Sequence, residues 1–221
     1  IKTFNFQASF LRHGVFNIYS HLIDNKEKLP LKENFVYFPL TYLMLGSYQA
    51  VIAPVLGPGF DSWLSNADSF RMVADPNIFK YLFALKLPYL VLDIVIAFIL
   101  LNYFKDRSLG KKAFTLWLYN HFTIFIIYAF GNVDIFPVAL VLLSLLFIKK
   151  DNKLLASLML GLAAGFKIYP LLFVPFLFAS GNSLKEKIKL AAIPFGVFSL
   201  VSLPFISSAF LESTLISGLT T

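Results

Sequence analysis

Two charged residues stand in surroundings that are otherwise apolar. Asp134 closes a polar tip that begins at Gly131, between two apolar runs, and Lys167 lies just before Pro170, where two short apolar runs meet. A charged side chain in or near a bilayer is costly unless it has a partner, a water-filled cavity or a function. A carboxylate can exchange a proton, and a lysine binds phosphate as a compact point charge. We therefore predict that both side chains face one polar cavity at the outer side of a multi-spanning membrane enzyme.

Each of these residues also has a structural explanation. Asp134 directly precedes an apolar run, where a carboxylate caps a helix and interacts favourably with its dipole. Lys167 could lay its stem along apolar surface and place its ammonium group among lipid headgroups. The sequence leaves both alternatives open.

Further polar residues occur in apolar surroundings. Lys86 and Asp93 are two helical turns apart, which places them on one face of a helix. They form either an ion pair through water or part of the lining of the same cavity. A lone histidine in a helix, such as His121 beside Asn120, is more often a hydrogen-bonded structural residue than a functional one. The predicted cavity-lining residues are Tyr37, Lys86, Asp93, Asn120, His121, Asn132 and Asp134.

The composition is that of a membrane protein. Of 221 residues, 58% are hydrophobic and 14% are charged, and the mean hydropathy is +0.74, whereas soluble domains are about half apolar and a quarter charged. In a membrane chain, the net charge of +7 indicates cytoplasmic loops that face anionic lipid rather than a nucleic-acid partner. Cysteine is absent, which excludes disulfides.

Signatures of soluble enzymes are missing from the sequence. It contains no P-loop, no dinucleotide-binding glycine motif, no HExxH and no nucleophile elbow. No cluster of oxygen ligands demands a metal ion, although a divalent cation remains compatible with the sequence.

The apolar stretches predict an all-α polytopic membrane protein with about six or seven hydrophobic helical segments. We predict membrane helices at residues 38–56, 81–104, 113–130, 135–148 and 190–206, with a pair of short or half-depth helices at 154–166 and 168–179. Residues 1–37 predict a surface helix that stops at Gly14, with a short soluble helix as the alternative. The whole chain is interpreted as one transmembrane domain. Residues 1–37 form an outer-loop or surface-helix region, residues 38–206 form the membrane helices, and residues 207–221 start a further loop.

Three basic segments set the predicted topology. Residues 105–112, 149–153 and 185–189 are separated by pairs of apolar helices, so they lie on one face, and the positive-inside rule makes that face cytoplasmic. Asp134 and Lys167 are then extracytoplasmic. The same parity places residues 1–37 on the cytoplasmic side if residues 38–56 cross the membrane once, whereas the enzyme interpretation requires them on the outer side. Either residues 38–56 do not cross fully, or residues 57–78 contain a further partial crossing.

Several short motifs, taken in order, resemble those of a known family. They are Asn17-Ile18-Tyr19, Tyr37-Phe38-Pro39, Leu85-Lys86-Leu87-Pro88 with Asp93, the tip Gly131-Asn132-Val133-Asp134, and Gly165-Phe166-Lys167-Ile168-Tyr169-Pro170. Their order resembles the GT-C superfamily, and more narrowly the polyprenol-phosphate-sugar-dependent mannosyltransferase-like membrane proteins of bacteria and archaea. Those proteins commonly have a YPP-type start, a KLP…D helix, a GQxD tip and a K-x-x-P break. Asn132 replaces the usual Gln, and Phe38 replaces a Pro.

The resemblance implies a multi-pass cell-membrane glycosyltransferase of glycan biosynthesis, with its active site on the extracytoplasmic side. It would transfer a sugar, mannose by preference, from a polyprenyl-phosphate donor to a glycan, lipid or protein acceptor with inversion. Lys167 and Tyr169 would bind the donor phosphate. The resemblance places the carboxylate general base just upstream of Ile1, so this chain alone is expected to be inactive; Asp24 is a weak candidate within it.

The alternative is a secondary transporter or lipid flippase with a polar cavity around Lys167 and Asp134. Broken helices and charges within the membrane are features of transporters too. That function predicts paired halves with matching interruptions, and the sequence shows one such break. A purely structural membrane subunit is the third interpretation.

Overall fold

The computed structural model describes residues 1–216, and every regular element in that range is a helix. The α-helices are α1 Lys2–Ser9, α2 Ile18–Asp24, α3 Pro39–Leu56, α4 Gly59–Ser65, α5 Ser69–Val73, α6 Ile78–Tyr103, α7 Arg107–Leu118, α8 His121–Ile124, α9 Ile135–Lys149, α10 Lys153–Ala164, α11 Val174–Ser180, α12 Leu184–Ser202 and α13 Ser208–Leu211. The 3₁₀-helices are Phe10–His13, Tyr169–Phe173 and Leu203–Phe205, and the π-helical segments are Phe125–Phe130 and Glu212–Ile216. The predicted all-α class is confirmed.

Three helical segments in the described range are long and apolar enough to cross a membrane: α3, α6 and Leu184–Phe205. A fourth is added if Arg107–Leu118 and His121–Phe130, which meet at a bend of 44°, form one broken span. Shorter apolar helices occupy Ile135–Lys149, Lys153–Ala164 and Tyr169–Ser180. These segments confirm the prediction of a polytopic membrane protein.

Helix α6 illustrates why these segments suit a lipid environment. Its exposed large side chains include Phe83, Val91 and Phe98, each more than half accessible. Such a row of apolar groups is unfavourable in water and favourable in hydrocarbon.

The described chain forms two compact units. Within the described residues, the first comprises Ile1–Leu87 and residues 202–216, and the second is Pro88–Val201. Helix α6 contributes its residues up to Leu87 to the first unit and the remainder to the second. The interpretation as a single transmembrane domain stays a prediction.

In the first unit, α1 packs closely against α3. Gln49 on α3 donates a hydrogen bond to the backbone oxygen of Asn5 at 2.8 Å, and both residues are buried. A buried amide needs such partners. The 3₁₀-helix after α1 ends at Gly14, whose φ of 83° is in the left-handed region that glycine adopts without strain. The helix predicted near the N-terminus is present, and its residues from Asn5 to Ser9 are all buried in the protein.

In the second unit, α9 and α10 form an antiparallel pair that packs against α11 and α12. Their shared core consists of Val141, Ala156, Leu160, Ala163, Val174, Leu177 and Leu190. Ser144 on α9 donates to the Ala156 carbonyl oxygen at 2.8 Å, a short interhelical link of the type that small residues permit in membrane proteins.

The predicted single helix at residues 113–130 is wrong in two respects. The helix α7 begins earlier, at Arg107, because the Asp106 side chain caps it by accepting a hydrogen bond from Ser108 N at 2.7 Å. The helix is also interrupted, because Asn120 caps a new helix with its own side chain.

The last predicted span also differs from the structure, and the stretch after it contains short helical segments. Helix α12 begins at Leu184 rather than near residue 190, because Ser183 Oγ accepts a hydrogen bond from Glu186 N at 3.2 Å. The basic residues of that predicted loop therefore lie in the helix. In the stretch 207–221, predicted to start a further loop, α13 and a short π-helical segment are present, and residues 217–221 lie outside the described range. The interpretation of this stretch as a loop between spans stays a prediction.

Candidate functional site

The polar tip is held in a defined conformation. The π-helical segment Phe125–Phe130 ends at Gly131, whose φ of 66° and ψ of 45° are left-handed. Asn132 N then donates to the Ile126 carbonyl oxygen at 3.3 Å, and Asp134 N donates to Asn132 Oδ1 at 2.9 Å. The glycine allows the sharp reversal, and the asparagine side chain fixes the position of Asp134.

Lys167 lies in a break between two helical segments. Helix α10 ends at Ala164, and the next helical turn starts at Tyr169 with Pro170 in its first turn. Because residues before a proline are biased away from helix, the chain breaks here. This break was predicted, and it leaves Lys167 partly accessible, with its side chain 36% exposed.

The structure brings Asp134 and Lys167 together. Lys167 Nζ lies 2.7 Å from Asp134 Oδ1, and the two side chains are each about one third exposed. The Asp134 side chain makes no capping hydrogen bond to α9, so the expected cap is wrong, and the carboxylate is used in the ion pair. The favourable interaction of Asp134 with the dipole of α9 stays a prediction. Partly exposed pairs of this kind contribute about 0.2–1 kcal/mol. The pair therefore contributes little to the free energy of unfolding.

A cavity of about 290 Å³ adjoins this ion pair. Its walls are mainly apolar, and its polar groups come from the tip and the broken span. The lining residues are Trp117, Phe122, Thr123, Ile126, Ile127, Asn132, Asp134, Ile135 and Val138. Mostly apolar walls with a few polar groups at one end are typical of sites for amphipathic ligands.

Asp93 lies behind the wall of this cavity. The residue is 7% exposed. Trp117 Nε1 donates to its Oδ1 at 2.7 Å, and Tyr128 Oη donates to its Oδ2 at 2.9 Å. The sequence indicated that Asp93 needs partners but could not identify Trp117 and Tyr128, because the bend that brings them close is a tertiary feature.

The remaining predicted residues of the second unit lie at or near the break regions. Asn120 and His121 are exposed at the bend of the broken span, where Asn120 Oδ1 accepts hydrogen bonds from Phe122 N at 3.0 Å and Thr123 N at 3.3 Å. Tyr169 is the half-buried first residue of the 3₁₀-helix after the break. Their predicted roles in lining the cavity and binding phosphate stay predictions.

Three predicted residues belong to the first unit. Tyr37 accepts a hydrogen bond on its carbonyl oxygen from Tyr19 Oη at 2.6 Å, and Lys86 is half-buried on α6. Asp24 is the exposed last residue of α2. The roles predicted for these three residues stay predictions.

Residues 1–216 contain no group of three or more His, Asp or Glu side chains that could hold a metal ion. The described side chains therefore offer no ready ligand set for a divalent cation.

Comparison with known proteins identifies a family. Residues 78–217 match Glycosyltransferase family 87, a stretch that covers more than half of the chain and includes Asp93, Asp134 and Lys167.

Two curated proteins are also similar to the chain. GPI mannosyltransferase 1 of Dictyostelium discoideum is 35% identical over 104 residues, which is 44% of this chain and 23% of that protein. GPI mannosyltransferase 1 of Candida albicans is 27% identical over 157 residues, which is 67% of this chain and 38% of that protein. The chain thus spans less than two fifths of the length of either relative. No solved structure matches it.

Proposed function

Because the chain belongs to glycosyltransferase family 87, we propose that it forms the donor-binding membrane part of a mannosyltransferase. The proposed reaction transfers mannose from a polyprenyl-phosphate carrier to a glycan, lipid or protein acceptor at the extracytoplasmic face of the cell membrane. The names of the two mannosyltransferase relatives support the sugar. The three basic segments support the side. Family membership confirms the prediction of a membrane glycosyltransferase and favours it over a transporter or flippase.

The ion pair between Lys167 and Asp134 is the observation that carries the proposal. It joins the polar tip to the helix break at 2.7 Å, beside a mainly apolar cavity. A donor made of an apolar chain and a phosphorylated sugar needs a cation next to an apolar surface. The second unit offers both features at one place.

The chemistry that this arrangement supports is an inverting displacement. The bond between the sugar C1 and the phosphate oxygen breaks, a bond from C1 to the acceptor oxygen forms, and the lipid phosphate leaves as an anion. A lysine next to the departing oxygen stabilises the charge that develops there. The acceptor proton passes to a carboxylate, which the resemblance places before Ile1.

The donor and the side of the membrane are tested with the intact protein in sealed vesicles. We expect transfer from polyprenyl-phosphate mannose, weaker transfer from polyprenyl-phosphate glucose, and none from a nucleotide-linked mannose. An impermeant acceptor should be mannosylated when the extracytoplasmic face is outward and spared in inverted vesicles. Transfer from the nucleotide-linked sugar alone would contradict the proposed donor, and transfer only in inverted vesicles would contradict the proposed side.

Asp134→Asn is expected to tighten donor binding. The substitution removes the anion that competes with the donor phosphate for Lys167, and a partly exposed pair is weak, so we expect a gain of up to about fivefold in affinity. The measurement is the dissociation constant of polyprenyl-phosphate mannose with the purified intact protein.

Asp151→Asn is the matched control for that experiment. Asp151 also pairs with a lysine, with Lys153 Nζ 3.3 Å from its Oδ1, and its φ of 59° is one that asparagine tolerates. This variant should leave donor affinity unchanged. If Asp134→Asn weakened binding instead, Asp134 would be needed to orient Lys167 rather than competing for it.

A further inference from the structure

Asp93 is a buried acidic residue in a mainly apolar helix. It lies on α6 and is 7% exposed, and among residues 1–216 it takes part in no ion pair. Its two oxygens are instead satisfied by one donor each, from Trp117 and Tyr128. A buried acceptor that loses such donors is costly, so this three-residue cluster constrains the segments that carry it.

The two donors stand on opposite sides of the break in the bent span. Trp117 lies near the end of α7, and Tyr128 lies in the π-helical segment after α8. The two arms meet at a bend of 44°. Breaks and π-helical turns interrupt the regular backbone hydrogen bonds, so the angle between the arms depends on side-chain contacts. Asp93 contacts both arms.

Both arms also form the wall of the cavity beside the ion pair. Trp117 lines it directly, and Ile126 and Ile127, just before Tyr128, line it from the other arm. The same π-helical segment runs through Gly131 into the tip that carries Asp134. A shift of either arm would therefore change the cavity.

We propose that Asp93 is a positioning residue for this cavity. Its carboxylate holds Trp117 and Tyr128 at the same time and so keeps the cavity in the shape that receives the donor, without touching the donor itself. The inference rests on the proposed function for the identity of the ligand. A carboxylate is suited to this task because both oxygens accept hydrogen bonds, whereas a carboxamide has one acceptor and would place a donor against a donor.

The test compares Asp93→Asn with Asp106→Asn in the intact protein. Asp106 caps the start of α7, where asparagine serves equally well, so the control makes the same chemical change next to the same helix. With polyprenyl-phosphate mannose, Asp93→Asn should raise the donor KM by about tenfold and leave kcat nearly unchanged, since ground-state binding is what the cavity provides. Asp106→Asn should change neither constant.

A second measurement does not depend on transfer. The sequence has two tryptophans. The fluorescence emission of Trp117 is obtained as the difference between the unmodified protein and the Trp117→Phe variant. Asp93→Asn should shift that part of the emission, whereas Asp106→Asn should not. If the unmodified protein transferred no mannose, the proposed function would fail, and the fluorescence would still decide whether Asp93 positions Trp117.

Tyr128→Phe keeps the proposal testable if Asp93→Asn does not fold. It removes one hydroxyl and leaves the Trp117 hydrogen bond in place, so it should raise the donor KM in the same direction by a smaller factor. Unchanged KM and unchanged Trp117 emission in the folded Asp93 or Tyr128 variant would overturn the proposal. A fall in kcat at constant KM would overturn it as well.

Discussion

Replacing Lys167 by alanine is expected to lower kcat/KM for transfer from polyprenyl-phosphate mannose by about 100-fold or more, the usual effect of removing one positioned group that stabilises a developing anion. The side chain ends 2.7 Å from Asp134 at the edge of the cavity, where the leaving phosphate is proposed to lie. The folded state should survive, because the partly exposed ion pair contributes little to stability. The measurement is steady-state transfer by the intact protein, normalised to folded protein.

Two further variants make that result specific. Lys150→Ala removes an exposed lysine just beyond the end of α9, at the opposite end of the helix that Asp134 precedes, and should leave transfer unchanged. Lys167→Arg keeps the charge but replaces a point charge by a planar fork, so it should recover part of the lost activity. Equal activity in Lys167→Ala and Lys150→Ala would contradict the proposed role of Lys167 in donor binding.

Gly161→Leu is expected to destabilise the second unit by about 1–3 kcal/mol, the usual cost of overpacking a tight core. An added Cβ at Gly161 would lie 2.6 Å from Val197 Cβ and 3.0 Å from Pro194 Cα and the Pro194 carbonyl oxygen. These atoms belong to α12, so the substitution would push α10 and α12 apart. Small residues at such crossings let helix backbones approach closely in membranes. The measurement is the midpoint of thermal unfolding of the purified protein in detergent.

Gly196→Leu is the matched control for Gly161→Leu. Gly196 lies on α12 itself, between the two residues that Gly161 approaches, and nothing stands within 4 Å of an added Cβ there. The same chemical change should therefore leave the midpoint unchanged or raise it, because leucine has a higher helix propensity than glycine. Equal destabilisation by both substitutions would show that the close approach of α10 and α12 does not depend on Gly161.

The sequence predicted the residues of the candidate site better than it predicted their contacts. Asp134 and Lys167 stood out because charges in apolar segments need a reason, and helix parity placed them on one side of the membrane. Their contact at 2.7 Å depends on how α9 and α10 pack, and no spacing in the sequence encodes that. The alternative in which Asp134 caps α9 was equally compatible with the sequence, and only the position of the side chain excluded it.

The boundaries of the helices show a related limit. Apolar periodicity marks where a chain lies in hydrocarbon, but capping decides where a helix begins. Asp106 and Asn120 each start a helix with their own side chain, so a basic loop became a first turn and a single predicted span became a bent pair. Whether such a side chain caps a helix depends on the local backbone conformation, which the apolar pattern does not reveal.

The sequence alone determined that the protein is all-helical and membrane-embedded, because composition and apolar run length follow from the solvent that each segment requires. Motif order was enough to indicate the glycosyltransferase family. The tertiary structure alone decided that Lys167 pairs with Asp134, that a cavity lies beside them, and that Asp93 holds Trp117 and Tyr128. Those contacts join residues far apart in the chain, and their geometry depends on a bend and on close helix packing that arise only when the segments assemble.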